Sequence, residues 1–104
     1  MIISASSDRT LKIWDLRNTQ QGAVSTLKFG FGVEDFTSIS ADNMQLMVAN
    51  GGVMSHVKIS EDTQLSIVRE YHAFQKPIMK IRYDAHRQRV IAGGLDNQLK
   101  FFSL

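Results

Sequence analysis

The fold is decided by the stretch Ser4-Ala5-Ser6-Ser7-Asp8-Arg9-Thr10-Leu11-Lys12-Ile13-Trp14-Asp15-Leu16. Small residues fill its first part, Asp8 follows them, and apolar and polar residues alternate from Thr10 onward. Alternation with a period of two is typical of a half-buried strand. An aspartate favours a tight turn because its carboxylate accepts nearby backbone N–H groups. The stretch therefore predicts a β-hairpin whose turn contains Asp8.

The same pattern occurs twice more along the chain. Residues 98–104 (Gln-Leu-Lys-Phe-Phe-Ser-Leu) align with 10–16, and this alignment places Asp96 at the position of Asp8. Residues 56–61 (His-Val-Lys-Ile-Ser-Glu) form a central copy, in which Val57 and Ile59 align with Leu11 and Ile13. Blocks of small residues precede these copies at 49–52 and 92–94. The recurrence indicates a structural repeat of roughly 40–45 residues.

The rest of the chain reads as short strands separated by turns rich in Gly, Asn, Asp and Ser. Connections of hairpin length imply antiparallel pairing, so we expect an all-β fold. The repeat divides the chain into a half unit, 1–16, and two further units, 17–61 and 62–104. The predicted strands are 2–6, 10–16, 22–29, 33–40, 45–50, 56–60, 64–70, 77–83, 88–93 and 98–103.

Composition excludes several classes of function. The chain has 104 residues, with 12 basic and 10 acidic groups and a net charge of +2. This excess is too small to predict binding to nucleic acid or membranes by bulk electrostatics. The absence of cysteine excludes disulfides and thiol catalysis, and it fits an intracellular protein. No apolar run is long enough to cross a membrane.

No catalytic constellation is visible in the sequence. The three histidines, His56, His72 and His86, have no acidic or cysteine partner at metal-ligand spacing. Gly51-Gly52 and Gly93-Gly94 lie at strand ends rather than before a helix, so they do not predict a phosphate loop. We therefore expect a non-enzymatic protein that carries no cofactor and no metal ion.

The repeat resembles that of the WD-repeat family, whose members form β-propellers built from four-stranded antiparallel blades. The resemblance implies that Asp8 and Asp96 are turn acceptors, and that Asp15 ends the repeat. It also implies that the Trp14 indole donates a hydrogen bond to a strand serine, either Ser4 or Ser6. Phe102 and Ser60 stand where the other repeats would have their tryptophan.

The chain departs from the family pattern in its buried polar residues. Phe29 and Phe74 occupy the positions where the resemblance leads us to expect histidine, and Met54 stands where the central copy would have its turn aspartate. We therefore expect apolar packing to replace the polar network. At roughly 40–45 residues per blade, the chain holds about two and a half blades. We expect it to be part of a larger propeller, to associate with further copies through its open edges, or to be completed by a different chain.

A basic stretch near the end of the chain is the best candidate for a binding surface. It carries Lys80, Arg82, His86, Arg87 and Arg89, with only Asp84 opposing them. One interpretation is an ordinary solvated surface. The other is a contact for RNA phosphates or for an acidic patch on a protein partner. Phe31 or Phe74, in loops, could add a partner contact, whereas the other phenylalanines are expected between blades.

The resemblance implies that the protein is a scaffold for other subunits of a multi-protein complex. A narrower similarity, across most of the chain, is to a WD-repeat subunit of the small-subunit processome. That similarity implies nucleolar localisation, pre-rRNA processing and ribosome biogenesis, with possible RNA contact through the U3 ribonucleoprotein. The alternative is a WD40 adaptor of signalling, ubiquitin-ligation or chromatin complexes.

Overall fold

The computed structural model describes residues 2–15, 22–72, 74–95 and 98–103. Every strand in this part of the chain pairs antiparallel with a neighbour in sequence, as short hairpin connections require. The ten strands are β1 (Ile2–Ala5), β2 (Thr10–Trp14), β3 (Ser25–Lys28), β4 (Val33–Ser38), β5 (Gln45–Asn50), β6 (Val53–Ile59), β7 (Leu65–His72), β8 (Ile78–Asp84), β9 (Arg89–Gly94) and β10 (Leu99–Ser103).

The strands form three sheets that follow one another along the chain. The first contains β1–β3, the second β4–β7, and the third β8–β10. The all-β class and the antiparallel sheets of three to four strands confirm the predicted fold class. No helix in the described residues is long and apolar enough to cross a membrane.

The second sheet is buried on both faces. In β5, Leu46 and Val48 belong to the apolar cluster shared with the first sheet, whereas Met47 and Ala49 belong to the cluster shared with the third. Adjacent residues of a strand point to opposite faces, so β5 is almost continuously buried from Leu46 to Asn50. The two clusters are the main cores of the molecule, and each holds two sheets together.

The sheets group the chain differently from the sequence repeats. The sheets span 2–28, 33–72 and 78–103, whereas the predicted units are 1–16, 17–61 and 62–104. The difference arises because β3 and β7 pair with the strands that precede them. The first and second sheets therefore end one strand later than the corresponding repeat units, and the division into repeat units stays a prediction.

The central copy of the repeat was aligned wrongly from the sequence. Leu11 and Ile13 face the second sheet, yet Val57 and Ile59 lie in the same cluster and therefore face back toward the first sheet. Equivalent residues of successive sheets must face the same way, so these two pairs are not equivalent. The cause is the tight turn at Gly51-Gly52, which lets β6 begin at Val53 rather than at 56. Met54 is consequently a buried strand residue and not a turn residue.

Candidate protein-interaction surface

The first hairpin shows how the polar residues of the repeat support its shape. The Trp14 indole Nε1 donates to the Ser4 hydroxyl at 2.8 Å, while the Ser6 hydroxyl accepts the Asp8 backbone N–H at 3.2 Å. The Asp8 carboxylate accepts the Thr10 backbone N–H at 3.1 Å and also the Thr10 hydroxyl. The Thr10 hydroxyl is the main reason that the pKa of Asp8 is lowered. Asp15 follows β2 and is half-buried.

The third hairpin has the same register but uses apolar contacts. Ala92 lies opposite Lys100 as Ser4 lies opposite Lys12, so no hydroxyl is available at this position. Phe102 instead meets the ring of Phe74 edge-on, with centroids 6.5 Å apart. This arrangement agrees with the expectation that aromatic packing replaces the polar network. Asp96, the predicted turn acceptor, lies outside the described residues.

The basic stretch is divided between a sheet face and a turn. Lys80 and Arg82 lie opposite Gly93 and Ile91 in the β8–β9 pair. Arg89, in β9, lies opposite Asp84 in the same pair. His86 and Arg87 are exposed in the turn between these strands. The strand pairing thus places Lys80, Arg82 and Arg89 on one face, with His86 and Arg87 in the adjoining turn.

Two carboxylates of the chain itself compensate about half of this positive charge. Asp35 pairs with the Arg82 guanidinium at 2.9 Å. Asp84 lies 3.9 Å from Arg87 Nη1 and 3.5 Å from Arg89 Nε. Three of the four Lys and Arg side chains thus have an acidic neighbour, which weakens the attraction of this region for phosphates.

Asp35 was not recognised from the sequence, although it links two sheets. Its carboxylate oxygen Oδ2 accepts the Ile81 backbone N–H at 2.9 Å as well as the Arg82 Nη1 hydrogen bond. It lies beside an irregularity in the β4–β5 register. The sequence offered one signal, a charged residue within a predicted strand, but it could not show which strand Asp35 would reach.

We expect Asp35→Ala to lower the free energy of unfolding by about 2 kcal/mol, because it leaves the Ile81 N–H without its acceptor. Arg82→Ala should cost less than about 1 kcal/mol, because 66% of the Arg82 side chain is exposed. Urea denaturation of both variants measures these costs. Equal costs would show that the ion pair, and not the backbone contact, supplies the stabilisation.

Two exposed apolar side chains lie on the side of the third sheet that faces away from the second. We call this the outer face of the third sheet. Leu99 and Phe101 are 62% and 52% exposed, and the Arg89 guanidinium carbon lies 4.6 Å from the centre of the Phe101 ring. Following the strand pairing, the face consists of Lys80, Arg82, Asp84, Arg89, Ile91, Gly93, Leu99, Phe101 and Ser103.

The first sheet shows what such a face normally contacts. Leu99 pairs with Gly93 as Leu11 pairs with Ala5, and Phe101 pairs with Ile91 as Ile13 pairs with Ile3. Leu11 and Ile13 are fully buried by the second sheet. The second sheet covers these positions in the first sheet, whereas the corresponding positions of the third sheet are exposed.

The predicted roles of the phenylalanines change accordingly. Phe74, named as a possible partner contact, is buried with 9% exposure, and Phe29 is buried as well. Phe101, expected between blades, is exposed in this chain. Phe31 is 56% exposed and remains a candidate contact. Exposure of single side chains depends on which neighbouring elements are present, which the sequence pattern did not show.

Within the described ranges, no group of three His, Asp or Glu side chains is arranged to hold a metal ion. His56 Nε2 instead lies 2.9 Å from Gln45 Oε1. Burial is the main cause that lowers the pKa of His56, and the Arg69 charge adds to it.

Comparison with known proteins supports the architecture. Residues 1–15 match the family described as "WD domain, G-beta repeat". A chain from the crystal structure of the mitotic checkpoint complex superposes with a TM-score of 0.79 at 16% sequence identity, over 97% of this chain and 31% of that one. This chain thus spans about a third of the length of that similar chain. No curated protein is similar enough in sequence to count as a relative. The three sheets have the fold of part of a WD40-type β-propeller.

Proposed function

We propose that the protein is a non-catalytic scaffold that docks other proteins of a multi-subunit complex, with the outer face of the third sheet as a principal contact. The observation that carries this proposal is the fold of part of a WD40-type β-propeller, together with the match of residues 1–15 to the WD repeat. An exposed apolar patch with a basic border is typical of a protein-interaction site. The similar chain was itself solved within the mitotic checkpoint complex, which is compatible with such a role.

The energetic centre of this contact should be Phe101 together with Arg89. The guanidinium lies over the ring, so a partner that covers Phe101 would also remove Arg89 from water. Aromatic and arginine side chains dominate the binding energy of many interfaces when they become fully covered. Lys80 has no ion pair with another described residue in the structure and would contribute to the basic border.

We expect Phe101→Asp to reduce recovery of co-purifying partners by about 30-fold, which corresponds to about 2 kcal/mol for a central interface residue. The measurement is quantitative mass spectrometry of complexes purified with tagged wild-type and variant protein. Val24→Asp is the matched control, because Val24 is 46% exposed and lies before β3 in the first sheet. Equal loss in both variants would contradict a specific role for the outer face.

Association with a second copy is the alternative for the same face. Lys12 and Lys28 lie on the open side of the first sheet, opposite Ser4 and Thr10 in the strand pairing. Head-to-tail association would therefore bring basic groups of both copies together, which is unfavourable. Light scattering over a range of protein concentrations distinguishes a partner protein from a second copy. If the mass of the wild type rises with concentration and that of Phe101→Asp does not, a second copy occupies the face.

The narrower proposal is a role in the small-subunit processome, and it rests on the sequence resemblance alone. It implies nucleolar enrichment and co-purification with U3 RNA. Direct RNA contact would depend chiefly on Lys80 and His86, since Arg82, Arg87 and Arg89 have carboxylate neighbours. A tagged protein that remains outside the nucleolus and without U3 RNA would favour the adaptor role in another complex.

A further inference from the structure

Phe31 is an exposed aromatic side chain that rests on a tight turn in the middle of the chain. It lies in the connection between β3 and β4, and its side chain is 56% exposed. A Cβ atom built on Gly51 would lie 2.7 Å from Phe31 Cγ, so the ring contacts the turn between β5 and β6. Glycine is required there for this contact as well as for its φ of 60°. The turn supports the ring from one side and leaves more than half of the side chain in water.

Backbone hydrogen bonds hold the connection that carries Phe31. The Phe29 N–H donates to the Arg9 carbonyl at 2.7 Å, and the Val33 N–H donates to the Ser6 carbonyl at 3.1 Å. Both ends of the connection are therefore bonded to the turn between β1 and β2. A group held in this way loses little freedom when a partner covers it, so less of the binding energy is spent on ordering.

The corresponding position is exposed in both connections that join successive sheets. The backbone N–H groups of Val33 and Ile78 each donate to a carbonyl in a turn of the sheet before them. Lys76, two residues before Ile78, therefore corresponds to Phe31, and Lys76 is exposed as well. Two sheets follow the first connection along the chain, and two sheets precede the second. Exposure at this position thus belongs to the repeat itself and does not depend on either end of the sequence.

Two cations lie on either side of Phe31. Arg9 belongs to the turn to which the Phe31 connection is bonded. On the other side, the Lys76 carbonyl lies 3.3 Å from a Cβ atom built on Gly52, in the turn under the ring. These contacts give the order Arg9, Phe31, Lys76 along one end of the sheets. Both cations are exposed, and neither forms an ion pair within the described part of the chain.

Two carboxylates lie close in sequence to this row. The Asp8 carboxylate is engaged with β2, where it accepts the N–H and the hydroxyl of Thr10. Glu34 lies in β4, at the irregularity of the β4–β5 register. They limit the net charge of the region. Attraction of an acidic partner must therefore come from direct contact with the two cations, and not from a long-range field.

We propose that Arg9, Phe31 and Lys76 bind an extended acidic segment of a partner protein, in which one apolar side chain covers the Phe31 ring and carboxylates on either side of it pair with the two cations. Burial of the apolar side chain on the ring supplies affinity. The two charge pairs fix the position of the segment along the row. This contact rests on the proposed scaffold role and adds to it a second surface, apart from the outer face of the third sheet.

The probe is a labelled peptide with a central leucine between two glutamates on each side, added to the whole chain at low and at physiological salt. We expect saturable binding in fluorescence anisotropy that weakens as salt is added. A peptide with serine in place of leucine, and one with lysines in place of glutamates, should each bind at least about tenfold more weakly. Absence of saturable binding of the leucine peptide at low salt, or equal binding of the lysine peptide, would overturn the proposal.

Substitutions locate the contact on the chain. Phe31→Ala should weaken binding of the leucine peptide by about tenfold, since it removes the apolar surface at the centre of the contact. Phe31→Leu keeps an apolar side chain and should retain most of the binding. Phe101→Ala is the matched control, because Phe101 is an aromatic residue with a similar exposure of 52%, and it should bind as the wild type does. Equal affinities of Phe31→Ala and Phe101→Ala would contradict the assignment.

Charge reversal tests the cations in the same way. Lys76→Glu should weaken binding by about tenfold at low salt, because it replaces an attraction by a repulsion. Lys80→Glu makes the same change in charge at another exposed lysine and should have little effect. Circular dichroism of all variants shows whether the fold is kept. Equal weakening by the two reversals would show that the peptide responds to net charge alone, and the proposed contact would be wrong.

Recovery of partner proteins separates this contact from the scaffold role itself. If the peptide fails to bind while Phe101→Asp still loses its co-purifying partners, the scaffold role stands and the contact at Phe31 is refuted. If the peptide binds as expected and Phe31→Ala loses a subset of partners that Phe101→Ala retains, the contact at Phe31 is supported as a second docking surface.

Discussion

Gly52→Ala should lower the free energy of unfolding by about 3 kcal/mol, at the upper end of the costs measured for overpacking. A Cβ atom at this position would lie 2.3 Å from the Phe74 carbonyl oxygen and 3.3 Å from that of Lys76. Both atoms belong to the backbone, so no side-chain rotation relieves the contact.

The surrounding hydrogen bonds prevent the loop from moving away. The Phe74 N–H donates to the Gly52 carbonyl at 3.1 Å, and the Ile78 N–H donates to the Gly51 carbonyl at 2.7 Å. These bonds fasten the β7–β8 connection to the turn between β5 and β6. Moving the loop to admit a methyl group would break them, and their loss adds to the cost of the clash.

Gly30→Ala provides the control, because nothing lies within 4 Å of a Cβ atom at that position. Its effect should be within about 1 kcal/mol of zero, and the reduced freedom of the unfolded chain makes a small stabilisation possible. Urea denaturation followed by circular dichroism measures both variants. A Gly52→Ala protein as stable as Gly30→Ala would show that the loop can move without loss of its bonds.

The first and third hairpins could be predicted from the sequence because their turns have the same length. Leu11 pairs with Ala5 and Leu99 pairs with Gly93, so the aligned residues hold the same places in both sheets. In the central hairpin Ala49 pairs with Met54, and the shorter turn moves β6 out of the alignment. A shift of one residue in the pairing register moves a side chain to the opposite face of the sheet. Val57 therefore faces the first sheet, although its sequence context resembles that of Leu11.

Contacts between sheets were beyond the reach of the repeat pattern. Asp35 reaches Ile81 across two sheets, and nothing local in the sequence pairs these positions. Charge patterning likewise does not show that Arg82 of the third sheet pairs with Asp35 of the second. Periodicity predicts the face of a strand, whereas the partner across a sheet interface depends on how whole sheets pack.

Phe74→Ala should cost about 3–5 kcal/mol of unfolding free energy, the usual range for removing a buried aromatic side chain. Phe74 is 9% exposed and belongs to the cluster between the second and third sheets. Its ring meets Phe102 edge-on and carries the Lys100 ammonium 4.7 Å from its centre. The substitution removes all of these contacts at once and leaves a cavity.

Phe74→His distinguishes apolar packing from the polar network of the WD-repeat pattern. Histidine is the residue that the pattern leads us to expect here, yet in the part of the chain that the structure describes Phe102 and Ala92 offer it no side-chain hydrogen-bond partner. A buried imidazole without a partner is unfavourable, so this variant should be about 2 kcal/mol less stable than wild type. Phe74→Leu, which keeps an apolar side chain, should cost less than Phe74→His. If Phe74→His were as stable as wild type, the site would tolerate the polar network, and the aromatic contact would not be what holds the third sheet in place.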